Sequence, residues 1–568
     1  MVEFKNEKEL DLKINKLKKI TKITSIIRFI LALNIIVWVI CLITLTDYIL
    51  YGILSAISIL IFAIFLILTN KYYDKLSLEN KLKKVYLNHY ARRNLTFSGL
   101  LDEGRDFLDK EDYKLYDLDI FGTKSLFQYL SICKTKPARE MLANKLKCKD
   151  LNIDEDFRNS TNNLVSEDTL KIEASLLEFK NSAKTTSTDE LNSVLNLKYK
   201  FKFLSFIPLL SLIGTIVYFI LIFAISINPY PIIAFLIANF VLSKLCLANE
   251  IFDLDSFKYF AITDAYYKLS NTIISLDFKD KYYDEQKNII NNNLLSLKKV
   301  KNIYLSLSTR KNIIANIALN GLLAYDFWIL LFYNKRTKSI NDLSNLFNSI
   351  AKIEVVASFA NIGIDNDIYT IPTNSKTIIA KDMYHPLVKN CIKNDFNLSG
   401  GVVLTGSNMS GKTTFMRTLG INQILFNSSS IVLASSFSSD TFDIYTSLRA
   451  NDMLSEGIST FYAEILRMKK ANEALNTKSL ILIDEIFKGT NAHDRIEASF
   501  KVIDKFNEYN KLFIISTHDF ELCDAKNILN YHFNEQYNDD KISFDYKIKE
   551  GKSETTNALY LLKMSGII

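Results

Sequence analysis

The stretch GVVLTGSNMSGKTTFMR, residues 401–417, decides the fold. Its first five residues form a short apolar run rich in β-branched side chains. The next eight, Gly406-Ser407-Asn408-Met409-Ser410-Gly411-Lys412-Thr413, fit G-x-x-x-x-G-K-[ST] without a mismatch. A helix-compatible segment, TFMRTLGINQIL, follows. Strand, glycine loop and helix in that order form a phosphate cradle, in which backbone N–H groups curl around the anion at a helix N-terminus. The reading makes Gly406 to Thr414 the nucleotide-binding set. Lys412 reaches the β/γ-phosphates, Thr413 binds Mg2+, and Thr414 opens the helix.

Working outward, further apolar runs (SIVLA, SLILID, LFIIST) alternate with helix-like sequence from about residue 375. That alternation predicts an α/β domain over 375–568 with a mostly parallel sheet. The run Leu480–Ile483 ends in Asp484-Glu485. A carboxylate at a buried strand end beside a phosphate loop can hold Mg2+, and a second can orient or deprotonate the attacking water. Asp484 is the expected metal-side residue and Glu485 the expected general base. The run Leu512–Ser516 ends in Thr517-His518-Asp519, and His518 is placed to bond the γ-phosphate or that water. Glu485, His518 and Lys412 are the expected catalytic residues.

Upstream of this domain the chain changes character. Of its 568 residues 48% are hydrophobic and 23% charged, with only 16 glycines and 6 prolines, which excludes collagen-like and linker proteins and favours long helices. Eighteen uncharged residues lie between Arg28 and Asp47, 23 between Asp47 and Lys71, and 41 between Lys202 and Lys244, broken at Asn228-Pro229. About 20 apolar residues cross a bilayer, so two transmembrane hairpins are expected, at about 27–46 with 49–70 and 204–225 with 230–248. The organisation expected is 1–85, 86–202 (helical), 203–249 (second hairpin), 250–374 (helical) and 375–568. Residues 312–334, with an uncharged run of only 14, read as a buried core helix. Six scattered cysteines and five histidines show no metal-ligand spacing, which argues against structural zinc.

The formal charge of +7 suggests nucleic acid until it is located. Residues 1–93 carry a net of +8, residues 94–374 are neutral, and residues 375–568 carry −1. Lysines flank the first hairpin, while its turn has none. By the positive-inside rule both termini and the ATPase-like domain face the cytoplasm, as in a multi-pass protein of a bacterial-type inner membrane with the lipid bilayer as partner.

TGSNMSGKTTFMRTLG, ANDMLSEGISTFYAEI, LILIDEIFKGTNAHDR and STHDFEL resemble, in order and spacing, the ATPase domain of the MutS mismatch-repair family, over roughly 380–565. His385-Pro386-Leu387 and Asn557-Ala558 extend the likeness. DLDIFGTKSLFQYL, from Asp117, resembles the start of the family's helical core. The resemblance implies ATP and Mg2+ as cofactors and a homodimer joined through the ATPase domains. It implies that Ser459 of one copy approaches the other's γ-phosphate, that Asn408 and Met409 touch phosphate, and that Gly489-Thr490-Asn491 faces the second copy. It also puts Cys391 where the family stacks on adenine. The family's mismatch-reading domain and its Phe-x-Glu wedge have no counterpart here, and the first hairpin takes that place.

The function expected is a membrane-anchored ATPase whose dimer opens and closes with ATP. DNA is a partner the resemblance implies and the charge does not support. The alternative is a membrane scaffold in which ATP controls assembly with an unknown protein partner. A transporter of the ABC type fits less well: Lys412 and Asp484 are 72 residues apart, and no LSGGQ run occurs.

Overall fold

A computed structural model describes residues 7–44, 48–97, 99–100, 102–109, 111–179, 203–225, 227–228, 230–247, 254–309, 312–337, 342–407, 409–449, 460–538 and 541–553. The chain begins with two very long helices, α1 (Glu7–Thr44) and α2 (Tyr48–Arg93). They run antiparallel, with Lys83 on Asp11 at 2.8 Å, Ser25 on Tyr73 at 3.4 Å and Trp38 against Tyr51 at 6.2 Å between ring centres. At 1.5 Å per residue they measure about 57 and 69 Å, roughly twice the thickness of a hydrocarbon core. Their apolar parts expose Phe29, Ile30, Leu60 and Ile67. The far end of α2 is buried instead, through Val85, His89, Ala91 and Arg92. The boundary expected at 85/86 therefore falls inside one continuous helix.

Short helices follow: α3 (Tyr113–Asp117), α4 (Leu126–Leu130), α5 (Lys136–Lys147), α6 (Glu155–Asn163) and α7 (Glu167–Leu176). Their starts are written locally. Ser125, Thr135 and Asp154 each cap the following helix by accepting a backbone N–H.

The second apolar zone gives α8 (Ile207–Ile225) and α9 (Pro231–Leu247), followed by α10 (Leu254–Ser275), α11 (Lys281–Ser308), α12 (Ile313–Leu323), α13 (Tyr325–Thr337) and α14 (Ser344–Asp365). Among the described residues three helical stretches, Lys8–Trp38, Leu50–Arg93 and Phe203–Ile222, are long and apolar enough to cross a membrane. α14 is buried on nearly every side, polar residues included, as a central core helix should be. Its few polar groups bind the segment before α5: Glu354 takes the Lys134 amide and the Thr135 hydroxyl, each at 2.8 Å, and Asn361 donates to the Leu130 carbonyl at 3.1 Å.

Residues 312–334 are not the single buried helix expected. They break at Ala324, which takes a left-handed φ of 45°, and α12 and α13 meet at 86°. Asn316, Asn320 and Asp326 hold the bend, while Ile313, Ile314, Leu322 and Leu323 are exposed. A 14-residue apolar run read as one helix conceals that break.

The C-terminal part is α/β. Its strands are β1 (Thr373–Asn374), β2 (Ile378–Met383), β3 (Asn394–Leu398), β4 (Gly401–Thr405), β5 (Ser436–Ser439), β6 (Asp443–Ser447), β7 (Ser479–Asp484), β8 (Leu512–Ser516), β9 (Ile528–Asn538) and β10 (Lys541–Glu550). The helices are α15 (Lys412–Asn427), α16 (Thr460–Glu473) and α17 (Ala492–Glu508). Among the described residues β10-β9-β4-β8-β7-β6 form a sheet that is parallel except at β10, and β1-β5-β2-β3 form a smaller mixed sheet. β4 and β8 are buried along their whole length, as inner parallel strands with covered faces must be.

Candidate functional site

The loop from β4 to α15 needs two glycines. Gly406 has φ 136° and Gly411 φ 104°, both in the left-handed region. A Cβ on Gly406 would also come within 2.9 Å of Ser410 Oγ. Within the loop Lys412 Nζ donates to the carbonyls of Gly406 and Ser407 at 2.6 and 2.8 Å. Burial pushes the Lys412 ammonium down to about 8, against the pull of Asp484 and Glu485. The same N–H donors can serve phosphate oxygens. Ser410 is buried and bonds the Ser407 carbonyl at 2.8 Å, whereas Met409 and Thr414 are exposed. Asn408 and Ser459 lie outside the described residues.

Three strand ends meet beside this loop. Thr413 Oγ1 donates to Asp484 Oδ2 at 2.6 Å, and Ser516 Oγ donates to Asp484 Oδ1. A hydroxyl and a carboxylate oxygen so close form a donor set suited to Mg2+, which favours oxygen ligands and is commonly shared with phosphate. Ser516 was not foreseen as a site residue; it is the last residue of the Leu512–Ser516 run, two residues before His518. Glu485 has φ 53°, and its amide bonds the Ser516 carbonyl at 3.0 Å. Its carboxylate lies 3.2 Å from His518 Nε2 and 3.1 Å from Lys488 Nζ. The His518 hydrogen bond, with Lys488 assisting, pulls Glu485 down to about 2 despite partial burial. Arg495 on α17 fixes the His518 turn through two 2.7 Å bonds to Asp519.

Residues 402–567 match the family model described as MutS domain V. The C-terminal part of the chain is therefore similar to MutS domain V. The DNA mismatch repair protein MutS of Shouchella clausii is 31% identical over 245 residues, covering 40% of this chain and 28% of that protein. Those of Acetivibrio thermocellus (30% over 252 residues; 41% and 29%) and Bacteroides fragilis (31% over 245; 39% and 28%) are similarly related. The chain thus aligns with under a third of the length of these curated relatives.

In the α/β part a cavity of about 480 Å³ opens beside the loop, lined in part by Val388, Cys391, Ile392, Met409 and Tyr546. Cys391 does face it. Tyr546, from β10, supplies an aromatic ring to the same space, at a left-handed φ of 50°. No reading of the sequence singled it out, because 133 residues separate it from Thr413.

A second group missed by sequence joins the α/β part to the helices before it. Asp117 is fully buried; it accepts the Leu448 amide at 2.9 Å and Arg467 Nη1 at 3.2 Å. Asp119 takes Arg417 of α15 at 3.2 Å and also Arg449. Three arginines, from α15 and from both sides of residues 450–459, converge on one turn. Both acids belong to DLDIFG, but a contact across some 300 residues leaves no local signal.

Proposed function

We propose that this chain is a membrane-anchored, Mg2+-dependent ATPase of P-loop fold that works as a homodimer. The observation that carries the reading is the convergence of Lys412, the Thr413–Asp484 pair and the Glu485–His518 pair at one end of a parallel sheet, where α/β folds bind ligands. Thr413 and Asp484 would hold Mg2+, which neutralises charge on the transferring phosphate. Lys412 binds the phosphates. Glu485, set against His518 and Lys488, is placed to orient or deprotonate the attacking water. His518 can donate to the phosphate or the water. Following the family likeness, Ser459 of a second copy completes the site.

Basic flanks and exposed apolar helices support a location in the inner membrane, with the ATPase domain cytoplasmic. α2 runs unbroken from its apolar part into the core, so movement there reaches the membrane through a continuous helix. The family likeness makes duplex DNA the first effector to test. The neutral charge of residues 94–374 favours a second reading, a scaffold in which ATP controls assembly with a protein partner.

Purified full-length protein in detergent should hydrolyse ATP only with Mg2+. Glu485→Gln should slow turnover about 10²–10⁴-fold while retaining ATP and favouring the dimer. An unchanged rate in E485Q sinks the assignment. Stimulation by intact, mismatched or branched duplex supports DNA as effector; no binding and no rate change leaves the scaffold reading.

A further inference from the structure

The bent pair α12–α13 is an apolar surface made inside a chain that the reading above places in a membrane, and the inference here rests on that reading. We propose that residues 313–332 form a re-entrant element, entering the cytoplasmic leaflet beside α9 and returning to the same side, with lipid acyl chains covering its outer face.

Contacts along α9 give the depth. Lys244, near the cytoplasmic end of α9, donates to Asn316 at the start of α12 (3.0 Å) and to Asp326 at the start of α13 (3.1 Å). Further along, Asn239 donates to the Gly321 carbonyl at 2.9 Å, and the Gly321 backbone comes so near Leu236 that a Cβ would sit 3.1 Å from its carbonyl. Lys244 to Leu236 is eight residues, or about 12 Å of helix. Measured from Lys244, the pair therefore descends about 12 Å into a roughly 30 Å hydrocarbon core before turning back. Charge agrees: Arg310 and Lys311 precede it and Lys335, Arg336 and Lys338 follow it, so both ends carry the cytoplasmic signature.

The break meets the demand of an apolar solvent, in which irregular backbone must be satisfied internally. Ala324 is fully buried and its amide bonds the Asn320 carbonyl at 3.1 Å. The Asp326 amide bonds Asn320 Oδ1 at 2.9 Å, and the Phe327 amide bonds the Ala324 carbonyl at 3.0 Å. Asp326 is buried against Lys244, a pairing that makes a charge tolerable at membrane depth. The outward residues are Ile313, Ile314, Ile317, Leu322, Leu323 and Phe332. In water they would form an exposed apolar patch continuous with α8–α9.

The chain has two tryptophans, Trp38 in α1 and Trp328 in α13, which allows a direct test. Full-length protein is reconstituted in phosphatidylcholine vesicles with or without bromine on the acyl chains. In Trp38→Phe, the remaining Trp328 should lose most of its emission to bromines near the headgroup end and little to aqueous iodide. With both tryptophans changed to Phe, Leu323→Trp should be quenched most by bromines nearer mid-chain. Trp328→Phe leaves Trp38 to report the first hairpin. Quenching of Trp38 by bromolipid, with Trp328 and the tryptophan at 323 quenched only by iodide, overturns the re-entrant element and leaves the membrane anchor standing. Iodide quenching at all three positions overturns both.

Discussion

Replacing Asp117 with asparagine should loosen the chain on either side of residues 450–459 while leaving the Gly406–Thr413 loop in place. Asp117 is buried, and so is Arg467, whose guanidinium also lies 4.4 Å from the centre of the Tyr113 ring. Removing the carboxylate leaves a buried cation without its counter-charge, which costs about 3–5 kcal/mol. Asparagine still offers an oxygen to the Leu448 amide, so Asp117→Asn belongs at the lower end of that range and Asp117→Ala at the upper. About 3 kcal/mol corresponds to a rise on the order of 10²-fold in local opening. Amide hydrogen exchange on the detergent-solubilised full chain reads this directly. Peptides over 443–449 and 460–473 should exchange about 10²-fold faster, while those over 401–405 keep their rate. Adding Arg467→Met to Asp117→Asn replaces the ion pair with packed apolar atoms and should recover most of the protection. Wild-type exchange in Asp117→Asn would overturn the role given to Asp117. So would a double variant that exchanges faster than the single one.

Three other perturbations isolate other parts of the structure. A Cβ on Gly401 would collide with the buried Phe513 ring, so Gly401→Ala should destabilise by about 1–3 kcal/mol and lower the midpoint of thermal unfolding. Gly400→Ala, with open space around it, should not. Tyr546→Ala should weaken ATP binding by about 1–3 kcal/mol if its ring stacks on the base, and Tyr546→Phe should not; equal affinities in equilibrium dialysis would remove the tyrosine from the site. His89 is buried between Asp365 and Glu173, each at 2.9 Å, with Arg92 and Arg93 alongside. Burial opposes its charge, but the two carboxylates prevail and raise it above 6.5. Its contribution is therefore complete below pH 6.5 and declines as pH rises through the folded value, so thermal stability should fall across that window and His89→Gln should flatten the fall. A wild-type profile with no such decline would count against a protonated His89.

What could be read from the sequence depended on whether the signal was local. The glycine loop, the apolar strand before it and the acids after Ile483 are contiguous words, and the helical and α/β halves differ in composition over long windows. Those are the features that one sequence displays. Asp117 and Asp119 meet Leu448, Arg449 and Arg467 across more than 300 residues, and each reads alone as an ordinary surface charge. The extension of α2 to Arg93 was hidden because Lys71–Lys84 looks like solvated flank, yet the same helix turns inward at Val85 and His89. The break at Ala324 was hidden for another reason. An alanine carries no turn signal, and its left-handed φ is supported by Asn320 and Asp326 acting from outside the turn itself.

These contacts also define how a change at the Gly406–Thr413 loop could reach the apolar helices. α15 begins at Lys412 and carries Arg417, which bonds Asp119; the neighbouring Asp117 grips both approaches to residues 450–459. Asp119 lies in a turn whose following segment, 130–135, is bound by Asn361 and Glu354 of α14. α14 ends at Asp365, which holds His89 and Arg93 of α2. Every link is a buried or half-buried polar contact between packed elements, so none can stretch gradually; each is made or broken. That makes the route testable as a coupling and not only as a path in space. If Asp117→Asn and His89→Gln act through one two-state rearrangement, their effects on ATP-dependent protection of α2 should be non-additive, although the two sites share no partner. Additive effects would mean that the two clusters stabilise their own neighbourhoods and transmit nothing.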